Sequence, residues 1–334
     1  MPSVQPATRQ PTVLHVNDAA FTAQRLIAEA ARRGIQWDFM PKAAPTQEWT
    51  GVAGKARRAA LGAAWVAKLA VQARKHDIVH VHSGTTLKHA RPATQRFVLH
   101  CHGSDVRTAQ YQPQWQKTIR DGLRDAEAVF YPTPDVAEHV LAHRADAVYI
   151  PIPIDVPNIP HWTPADGKPR VIFASRWGQE KGGDVQLEMA KAVVAAVGDR
   201  ADVVGLDWGP MAPDAVAAGV RLVSRCDHPA FLKLLAESHV VIGQSAGILA
   251  TSELETLGMG APLVMPVPMP LYPTSLPFYG GNVSDGAQAV AALLDGSEPH
   301  DPSLGRKWIA DENGIDHAVD KILEVHAQVM AARA

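Results

Sequence analysis

Short apolar runs alternate with helical patterns along most of the 334 residues, and this alternation constrains the fold more than any other feature. Runs such as Val13–Val16 and Val240–Ile242 are typical of strands that are buried on both faces of a parallel sheet. Helical spacing follows such runs, as at Phe21–Arg33, where Gly34 stands at the position of a C-cap glycine. Because strands that alternate with helices indicate βαβ units, we predict an α/β protein with doubly wound sheets.

A proline-rich segment interrupts this pattern near the middle of the chain. Residues 151–169 contain six prolines, which exclude a helix or a central strand there. We predict a Rossmann-like domain at 10–150, a linker at 151–169, a second Rossmann-like domain at 170–315 and a C-terminal helix at 316–334. Since ligands of such sheets bind outside the carboxyl ends of the strands, we expect the active site in a cleft between the domains.

The net charge of −2 conceals two halves of opposite sign. Residues 1–155 carry a net charge of +6 and residues 156–334 a net charge of −8, which suggests domains with different partners. Charged residues are 20% and hydrophobic residues 46% of the chain, which excludes a mainly disordered protein. The two cysteines, Cys101 and Cys226, exclude a disulfide scaffold. We expect a cytoplasmic protein, with peripheral contact to the inner membrane face as an alternative.

The segment Phe173–Gly183 carries the first candidate motif. It directly follows a predicted strand, and Arg176 and Lys181 are separated by a turn, so that both side chains can point into a cleft. Arginine binds phosphate by bidentate hydrogen bonds and lysine binds it as a point charge, so this pair suits a diphosphate. The alternative is a solvated loop with incidental charges.

The segment Gly243–Met265 carries the second candidate motif. A strand ends, a Gly/Ser loop turns, and a helix begins, and the backbone N–H groups at such a helix N-terminus bind anions. Glu255 lies within this helix, where it can accept hydrogen bonds from the vicinal hydroxyls of a ribose. The alternatives are an ordinary exposed helix face for Glu253 and Glu255, and a simple capping role for Ser252.

These two segments together resemble the nucleotide-sugar half of the retaining GT-B glycosyltransferases of family 4. Ser175-Arg176 and Lys181-Gly182 stand where the family has Gly-Arg and Lys-Gly. Glu255-Thr-Leu-Gly-Met-Gly-Ala-Pro-Leu-Val resembles the family's Glu-x-x-Ala-Met-Ala-x-Gly-x-Pro-Val-Val motif, in which a first glutamate stands eight positions earlier. Gly247 stands at that position in this chain.

The resemblance extends over most of the chain, through segments that are similar to family motifs in the same order: Asp77–His82, Val98–Asp105, Tyr149–Asp155 and Gly305–Trp308. It implies two Rossmann-like doubly wound domains in GT-B arrangement. The N-terminal domain would bind the acceptor, the C-terminal domain would bind the nucleotide-sugar, and the last helix would cross back to the N-terminal domain. The family's N-terminal Gly-Gly loop is replaced by Asn17–Phe21.

The resemblance also implies a reaction, the metal-independent transfer of a sugar from a nucleotide-sugar to an acceptor hydroxyl with retention. No cofactor is implied besides the donor, with a UDP-sugar favoured over a GDP-sugar. Arg176 and Lys181 would neutralise the leaving diphosphate, Glu255 would hold the ribose, and His102 would position the reacting sugar. Further donor contacts are predicted at Gly103, Gly247, Ile248 and Leu249, and acceptor contacts at Asn17, Asp18 and Asp105. Asp105 alternatively caps the following helix.

Other functions on the same fold stay open. A phosphorylase would transfer the sugar to phosphate, and a nucleotide-sugar epimerase would need no acceptor. Gly247 also suits a degenerate homologue that binds a nucleotide without turnover. An NAD oxidoreductase is disfavoured because no G-x-G-x-x-G motif follows the first strand.

Two histidine pairs and a basic helix have structural alternatives. His80 and His82, like His100 and His102, share one face of a strand, but no carboxylate or cysteine set accompanies them, so we predict no metal site. We interpret His80 and His100 as hydrogen-bonded core histidines.

Residues 49–76 contain six Lys or Arg residues and no acid, which suits an anionic membrane or polymer. A core helix with a solvated basic face is the preferred alternative, and nucleic acid is open but unsupported.

Overall fold

The computed structural model describes residues 10–42, 49–273 and 276–334. The chain forms two compact units, of which the first contains Met1–Pro153 and Ile315–Ala334, and the second contains Ile154–Gly314. Each unit contains a six-stranded sheet. The strand pairs of both sheets are parallel throughout, so that the carboxyl ends of the strands of each sheet meet at one edge.

The sheet of the first unit has the order β2-β1-β3-β4-β5-β6. Its strands are β1 (Val13–Val16), β2 (Trp37–Met40), β3 (Ile78–His82), β4 (Val98–His100), β5 (Ala128–Tyr131) and β6 (Val148–Tyr149). The helices that connect them are α1 (Thr22–Arg32), α2 (Gly51–Ala73), α3 (Leu87–Ala90), α4 (Ser104–Arg107), α5 (Pro113–Asp125) and α6 (Ala137–Leu141). The basic helix predicted at 49–76 is α2, which buries Trp65 and Leu69 and exposes its lysines and arginines.

The sheet of the second unit has the order β12-β11-β10-β7-β8-β9. Its strands are β7 (Arg170–Phe173), β8 (Asp202–Leu206), β9 (Arg221–Val223), β10 (Val240–Ile242), β11 (Leu263–Met265) and β12 (Phe278–Gly280). Its helices are α7 (Gly183–Val197), α8 (Ala212–Ala217), α9 (His228–Ala236), α10 (Thr251–Met259), α11 (Val283–Asp295) and α12 (Pro302–Asn313). Residues 154–169 carry a short 3₁₀ turn at Val156–Asn158 and an isolated bridge from Ile154 to Gly314.

The last helix, α13 (Ile315–Ala332), packs in the first unit although it follows the second unit in sequence. Its buried residues recur every three or four positions: Ile315, Ala318, Val319, Ile322, Val325, His326 and Val329. This spacing presents one apolar stripe, which joins a core cluster with Val13, Leu26 and Phe130.

The sequence patterns located most strands within one or two residues but misplaced one functionally relevant end. The run Phe97–His102 predicts a strand as far as His102, but β4 ends at His100, and the chain turns at Gly103, whose φ is +89°. His102 therefore lies in the loop after β4. The patterns also missed β12, α5, α8 and α12, which carry few apolar residues or are short.

None of the helices within the described residues is both long enough and apolar enough to cross a bilayer.

Replacing Ile322 by Ala tests how much α13 contributes to the first unit. Ile322 is completely buried, so we expect the free energy of unfolding to fall by about 2–5 kcal/mol, the usual cost of such a cavity. Lys321→Ala, at the exposed neighbouring position, is the matched control and should change it by less than about 0.5 kcal/mol. Urea unfolding followed by circular dichroism measures both values, and equal values would contradict the packing described here.

Candidate functional site

Arg176 and Lys181 both lie just beyond the carboxyl end of β7, as predicted. The Nε atom of Arg176 is 2.5 Å from Oε1 of Glu180. A backbone hydrogen bond lowers the pKa of the Glu180 carboxyl, and this guanidinium lowers it further. Both side chains are more than a third exposed, so the pair is screened by solvent. An anionic ligand can therefore compete with Glu180 for Arg176 at little cost.

Lys181 connects its own turn to the loop after β10. Its Nζ donates a hydrogen bond to Oε1 of Gln244 at 3.1 Å, and its carbonyl oxygen accepts one from the Ser245 N–H at 2.9 Å. The next residue, Gly182, has a φ of +73°, and a Cβ atom there would collide with the Ser245 carbonyl. The Lys-Gly pair is thus required for the close approach of two loops that sequence reasoning treated separately.

Glu253 organises the loop that precedes α10, a role that sequence reasoning missed. Its carboxylate is fully buried and accepts hydrogen bonds from the Gln244 N–H at 3.1 Å, the Ala250 N–H at 2.9 Å and the Ser175 hydroxyl at 3.3 Å. The exposed-face alternative for Glu253 is therefore wrong. The available signal was a glutamate three residues into a predicted helix, the position that reaches back to the N-cap amide.

The predicted anion site at the N-terminus of α10 differs in detail from expectation. The N-cap residue is Ala250, so the capping role considered for Ser252 is wrong. The N–H of Leu249 donates to the Tyr272 hydroxyl at 3.0 Å. Of the three predicted backbone donors, those of Gly247 and Ile248 have no hydrogen-bond partner within the described part of the chain.

Gly247 has a φ of +72°, with its nearest would-be Cβ neighbour 3.9 Å away. There is space for a side chain, but the left-handed backbone conformation disfavours one. A glutamate at this position, as in the family motif, would therefore be strained in the backbone conformation that this chain adopts.

Glu255 is buried rather than exposed, which makes the exposed-face alternative wrong for this residue too. Its Oε1 atom accepts a hydrogen bond from Nε2 of His228 at 2.8 Å. His228 is the first residue of α9, and its side chain is 21% exposed. The predicted role of Glu255 in ribose binding stays a prediction, and His228 is a neighbour that the sequence did not reveal.

Trp208 is a second residue that sequence reasoning missed. It follows the carboxyl end of β8, is 38% exposed, and lies close to two guanidinium groups. The Cζ atom of Arg225 is 4.5 Å from the indole centroid and that of Arg176 is 5.6 Å away. A tryptophan immediately after a parallel strand next to β7 was the signal available in the sequence.

In the first unit, His102 lies at the carboxyl edge of the sheet. Its Nε2 is 3.0 Å from Nδ1 of His82. Burial lowers the pKa of His102, while the charges of Asp105 and Asp18 act in the opposite direction. The adjacent Gly103 would place a Cβ atom 3.1 Å from the Arg107 guanidinium, so the loop turns tightly beside His102.

Asp105 connects the two loops at this edge. One carboxylate oxygen accepts from the backbone N–H groups of His102 and Val106, both at 3.0 Å, and the other accepts from the Gly84 N–H at 2.7 Å. The residue is buried and lies inside α4, whose N-cap is Gly103. The capping alternative is therefore wrong, and the carboxylate holds the loop that carries His102.

The other predicted acceptor residues are engaged within the first unit. Nδ2 of Asn17 donates to the Thr86 hydroxyl at 2.9 Å and to the His82 carbonyl at 3.2 Å. Asp18 accepts from the Ala23 N–H at 2.9 Å, at the start of α1. Both residues follow β1 and shape the loop there, and their predicted contacts with an acceptor stay predictions.

A cavity of about 180 Å³ opens in the first unit beside α2. Its cationic lining residues are Lys42 and Arg58, and its other lining residues include Trp65, Thr86 and His89. Burial lowers the pKa of His89, and the nearby Lys42 and Lys88 lower it further. The positive lining and the indole form a pocket suited to a ligand that carries an anionic group.

Residues 22–157 match the family Glycosyltransferase Family 4. No curated protein sequence matches the chain. Among solved structures, the chain is similar to Anabaena HepE, whose structure contains UDP and glucose, with 15% identity, a TM-score of 0.65, and coverage of 95% of this chain and 99% of that one. It is also similar to AviGT4, a glycosyltransferase involved in avilamycin A biosynthesis, with 18% identity, a TM-score of 0.62, and coverage of 96% and 98%.

A third similar structure is a candidate UDP-N-acetylglucosamine 2-epimerase from Listeria monocytogenes. Its identity is 15% and its TM-score is 0.60, with coverage of 93% of this chain and 94% of that one. These similarities, together with the two parallel sheets, confirm the predicted fold class, the two-domain Rossmann-like fold of GT-B glycosyltransferases.

Gly182→Ala tests whether the contact between the Lys181 turn and the Ser245 loop is required. The matched control is Gly296→Ala, because Gly296 has the same left-handed conformation, with a φ of +77°, but nothing lies within 4 Å of its would-be Cβ. Both variants incur the left-handed strain of about 1–2 kcal/mol, and Gly182→Ala should lose a further ~1–3 kcal/mol through steric overlap. Calorimetric unfolding measures the difference, and equal losses would show that the contact can relax.

Proposed function

We propose that this protein is a glycosyltransferase that transfers a sugar from a nucleotide-sugar, with UDP as the favoured nucleotide, to an acceptor hydroxyl. The observation that carries the proposal is the joined pair of loops at the carboxyl edge of the second sheet. There the Lys181 turn and the Gln244–Leu249 loop are hydrogen-bonded to each other, beside an exposed arginine. The match of residues 22–157 to Glycosyltransferase Family 4 supports the same reaction class.

The donor diphosphate would bind at these loops. Arg176 would leave Glu180 to form bidentate hydrogen bonds with phosphate oxygens, and Lys181 would add a second positive charge. The backbone N–H groups of Gly247 and Ile248 would add two neutral donors. Together these groups would stabilise the charge that develops on the leaving diphosphate, the task that a metal ion performs in other enzymes.

Substituting either cation by Ala tests this donor site. With UDP at 100 times its Kd, the intact protein should gain about 2.7 kcal/mol of stability, and a 100-fold weaker variant should gain only about 0.4 kcal/mol. We expect such losses for Arg176→Ala and Lys181→Ala, and a decrease in transfer rate on the order of 10²-fold for each. Thermal unfolding with UDP, GDP, ADP and CDP, with and without Mg²⁺, measures the binding.

Lys191→Ala is the control for this series, because it removes an exposed lysine charge from α7 and should leave the UDP shift unchanged. A shift that survives in both Arg176→Ala and Lys181→Ala would contradict the proposed diphosphate site. Stabilisation by GDP and by none of the other nucleotides would show that the donor is a GDP-sugar and not a UDP-sugar.

The base of the nucleotide would stack on Trp208. The indole presents a flat, partly exposed surface beside Arg176, and stacking of a base on an aromatic ring contributes about 1–3 kcal/mol. Trp208→Ala should therefore raise the Kd for UDP about 5- to 150-fold, whereas Trp208→Phe should retain most of the affinity. Titration calorimetry measures both, and an unchanged Kd in Trp208→Ala would exclude stacking at this residue.

The acceptor would bind in the first unit. The cavity lined by Lys42, Arg58 and His89 would take the anionic group of an acceptor, and the loop carrying His102 would approach the reacting hydroxyl or sugar. The exposed cations of α2 lie on the same helix as Arg58 and would increase the local concentration of an anionic acceptor.

Retention and independence from added metal are the finer parts of this proposal. Proton NMR of the first-formed product gives its anomeric configuration, and an α-linked product from an α-linked donor supports retention. Activity in the presence of a chelator of free divalent ions supports neutralisation by Arg176 and Lys181. An inverted product, or activity restored only by added Mg²⁺, would reject the respective part.

A nucleotide-sugar epimerase is the second candidate, favoured by the structural similarity to the Listeria monocytogenes protein. The same NMR experiment without an acceptor distinguishes the two. Conversion of a UDP-sugar to its epimer would support the epimerase, and donor consumption that needs an acceptor hydroxyl would support the transferase. Binding of UDP without turnover of any donor would support the degenerate homologue that Gly247 suggests.

A further inference from the structure

Six histidines lie together in the first unit, on the face of the sheet that α13 covers. His15 in β1 is the register partner of His80 in β3, and His82 is the register partner of His100 in β4. Alternate residues of a strand share a face, which places these four rings on the same side. His102 and His326 complete the cluster, and the rings of His80 and His326 are 5.4 Å apart.

The hydrogen bonds within this cluster are incomplete. Nδ1 of His15 is 2.9 Å from Nε2 of His82, Nδ1 of His82 is 3.0 Å from Nε2 of His102, and Nε2 of His80 is 3.2 Å from Nδ1 of His100. Five buried ring nitrogens have no hydrogen-bond partner among the described residues: His15 Nε2, His80 Nδ1, His100 Nε2 and both nitrogens of His326.

Leaving a buried polar atom unpaired costs about 1–3 kcal/mol, so a cluster with five such atoms is expensive unless something binds there. Burial lowers the pKa of His15, His80 and His82, and neighbouring imidazoles lower it further. Burial likewise lowers the pKa of His326 to about 3. Each ring is therefore neutral near pH 7 and carries one lone pair, the state in which imidazole binds a transition metal.

We propose that His15, His80 and His82 form a buried binding site for a transition-metal ion of the zinc type. One ring nitrogen of each lies within 4.8 Å of those of the other two. Three histidines are a common ligand set for Zn²⁺, and the described cluster contains no carboxylate ligand that would favour Mg²⁺ or Ca²⁺. In a tetrahedral site with a Zn–N distance of about 2.0–2.1 Å, two zinc-bound nitrogens are about 3.4 Å apart. The ring nitrogens of the cluster are separated by up to 4.8 Å, so the stacked rings of His15 and His80 would rotate towards the ion on binding.

The surrounding bonds suit such a site. Ligating histidines generally donate their other ring N–H to a second acceptor. In this cluster Nε2 of His80 faces His100, and Nδ1 of His82 faces His102. The ion would bind His82 through Nε2 and would replace the contact of that atom with Nδ1 of His15. The Nδ1–H group of His82 would then donate to Nε2 of His102 and fix the proton of His102 on Nδ1. His326 is the residue placed to approach the fourth position. The site thereby orients the loop histidine that sequence reasoning selected.

The test is the metal content of the full-length chain. Bound metal is removed from the protein with a chelator, and the protein is then loaded with Zn²⁺ or Co²⁺ alone and desalted. Elemental mass spectrometry measures the metal content. We expect about one ion per chain, a visible Co²⁺ spectrum of tetrahedral type, and a higher unfolding temperature with Zn²⁺ than with Mg²⁺. His102→Gln should weaken metal affinity by about 10- to 100-fold, the usual effect of losing an outer partner.

Variants locate the ion. His15→Gln and His82→Gln should lose it, whereas His317→Gln, which changes an exposed histidine of α13, should retain it. His100→Gln removes the outer partner of His80, so it should weaken metal affinity by about 10- to 100-fold, as His102→Gln does, without abolishing binding. Circular dichroism checks folding, and if the ligand variants do not fold, the Co²⁺ spectrum of the unaltered chain decides. No retained ion, an octahedral Co²⁺ spectrum, or equal retention in folded His82→Gln would overturn the proposal.

Discussion

Parallel strand pairing is the constraint on which the rest of this protein depends. Because every pair in both sheets is parallel, each strand must return by a crossover, and all the strands of a sheet end at the same edge. The loops that carry Arg176, Lys181 and Trp208 meet at the carboxyl edge of the second sheet. The loops that carry Asn17 and His102 meet at the carboxyl edge of the first sheet. Functional side chains from distant parts of the sequence are thereby brought close together in each sheet.

Buried carboxylates hold these edges in shape. Asp105 and Glu253 are each buried and each accept three hydrogen bonds, most of them from residues of the loops around them. Burying a carboxylate is costly unless hydrogen bonds compensate it, so these loops are ordered by the same bonds that make the burial tolerable. Both residues are positioning groups: Asp105 holds the loop of His102 in the first unit, and Glu253 holds the Ser175 hydroxyl next to the exposed Arg176 in the second.

The sequence predicted the two sheets and the positions of Arg176 and Lys181 after β7, because apolar periodicity and strand ends are local properties. It did not predict that Glu255 pairs with His228 or that Arg225 lies against Trp208, since these contacts join residues from separate elements. It placed His80 and His100 in a hydrogen-bonded core, and their 3.2 Å contact agrees with this interpretation. The spacing of the histidines in the sequence did not predict that five ring nitrogens of the cluster have no hydrogen-bond partner among the described residues.

The sequence by itself determined the α/β class, the proline-rich boundary and the cationic motif after β7, because each depends on residues near one another in the chain. Only the tertiary structure decided that Glu253 is buried and that His15 and His326 join the two histidine pairs. The physical reason is that burial and hydrogen-bond satisfaction are set by which strands become neighbours. In this fold β1, β3 and β4 are adjacent in the sheet, although His15 and His80 are 65 residues apart.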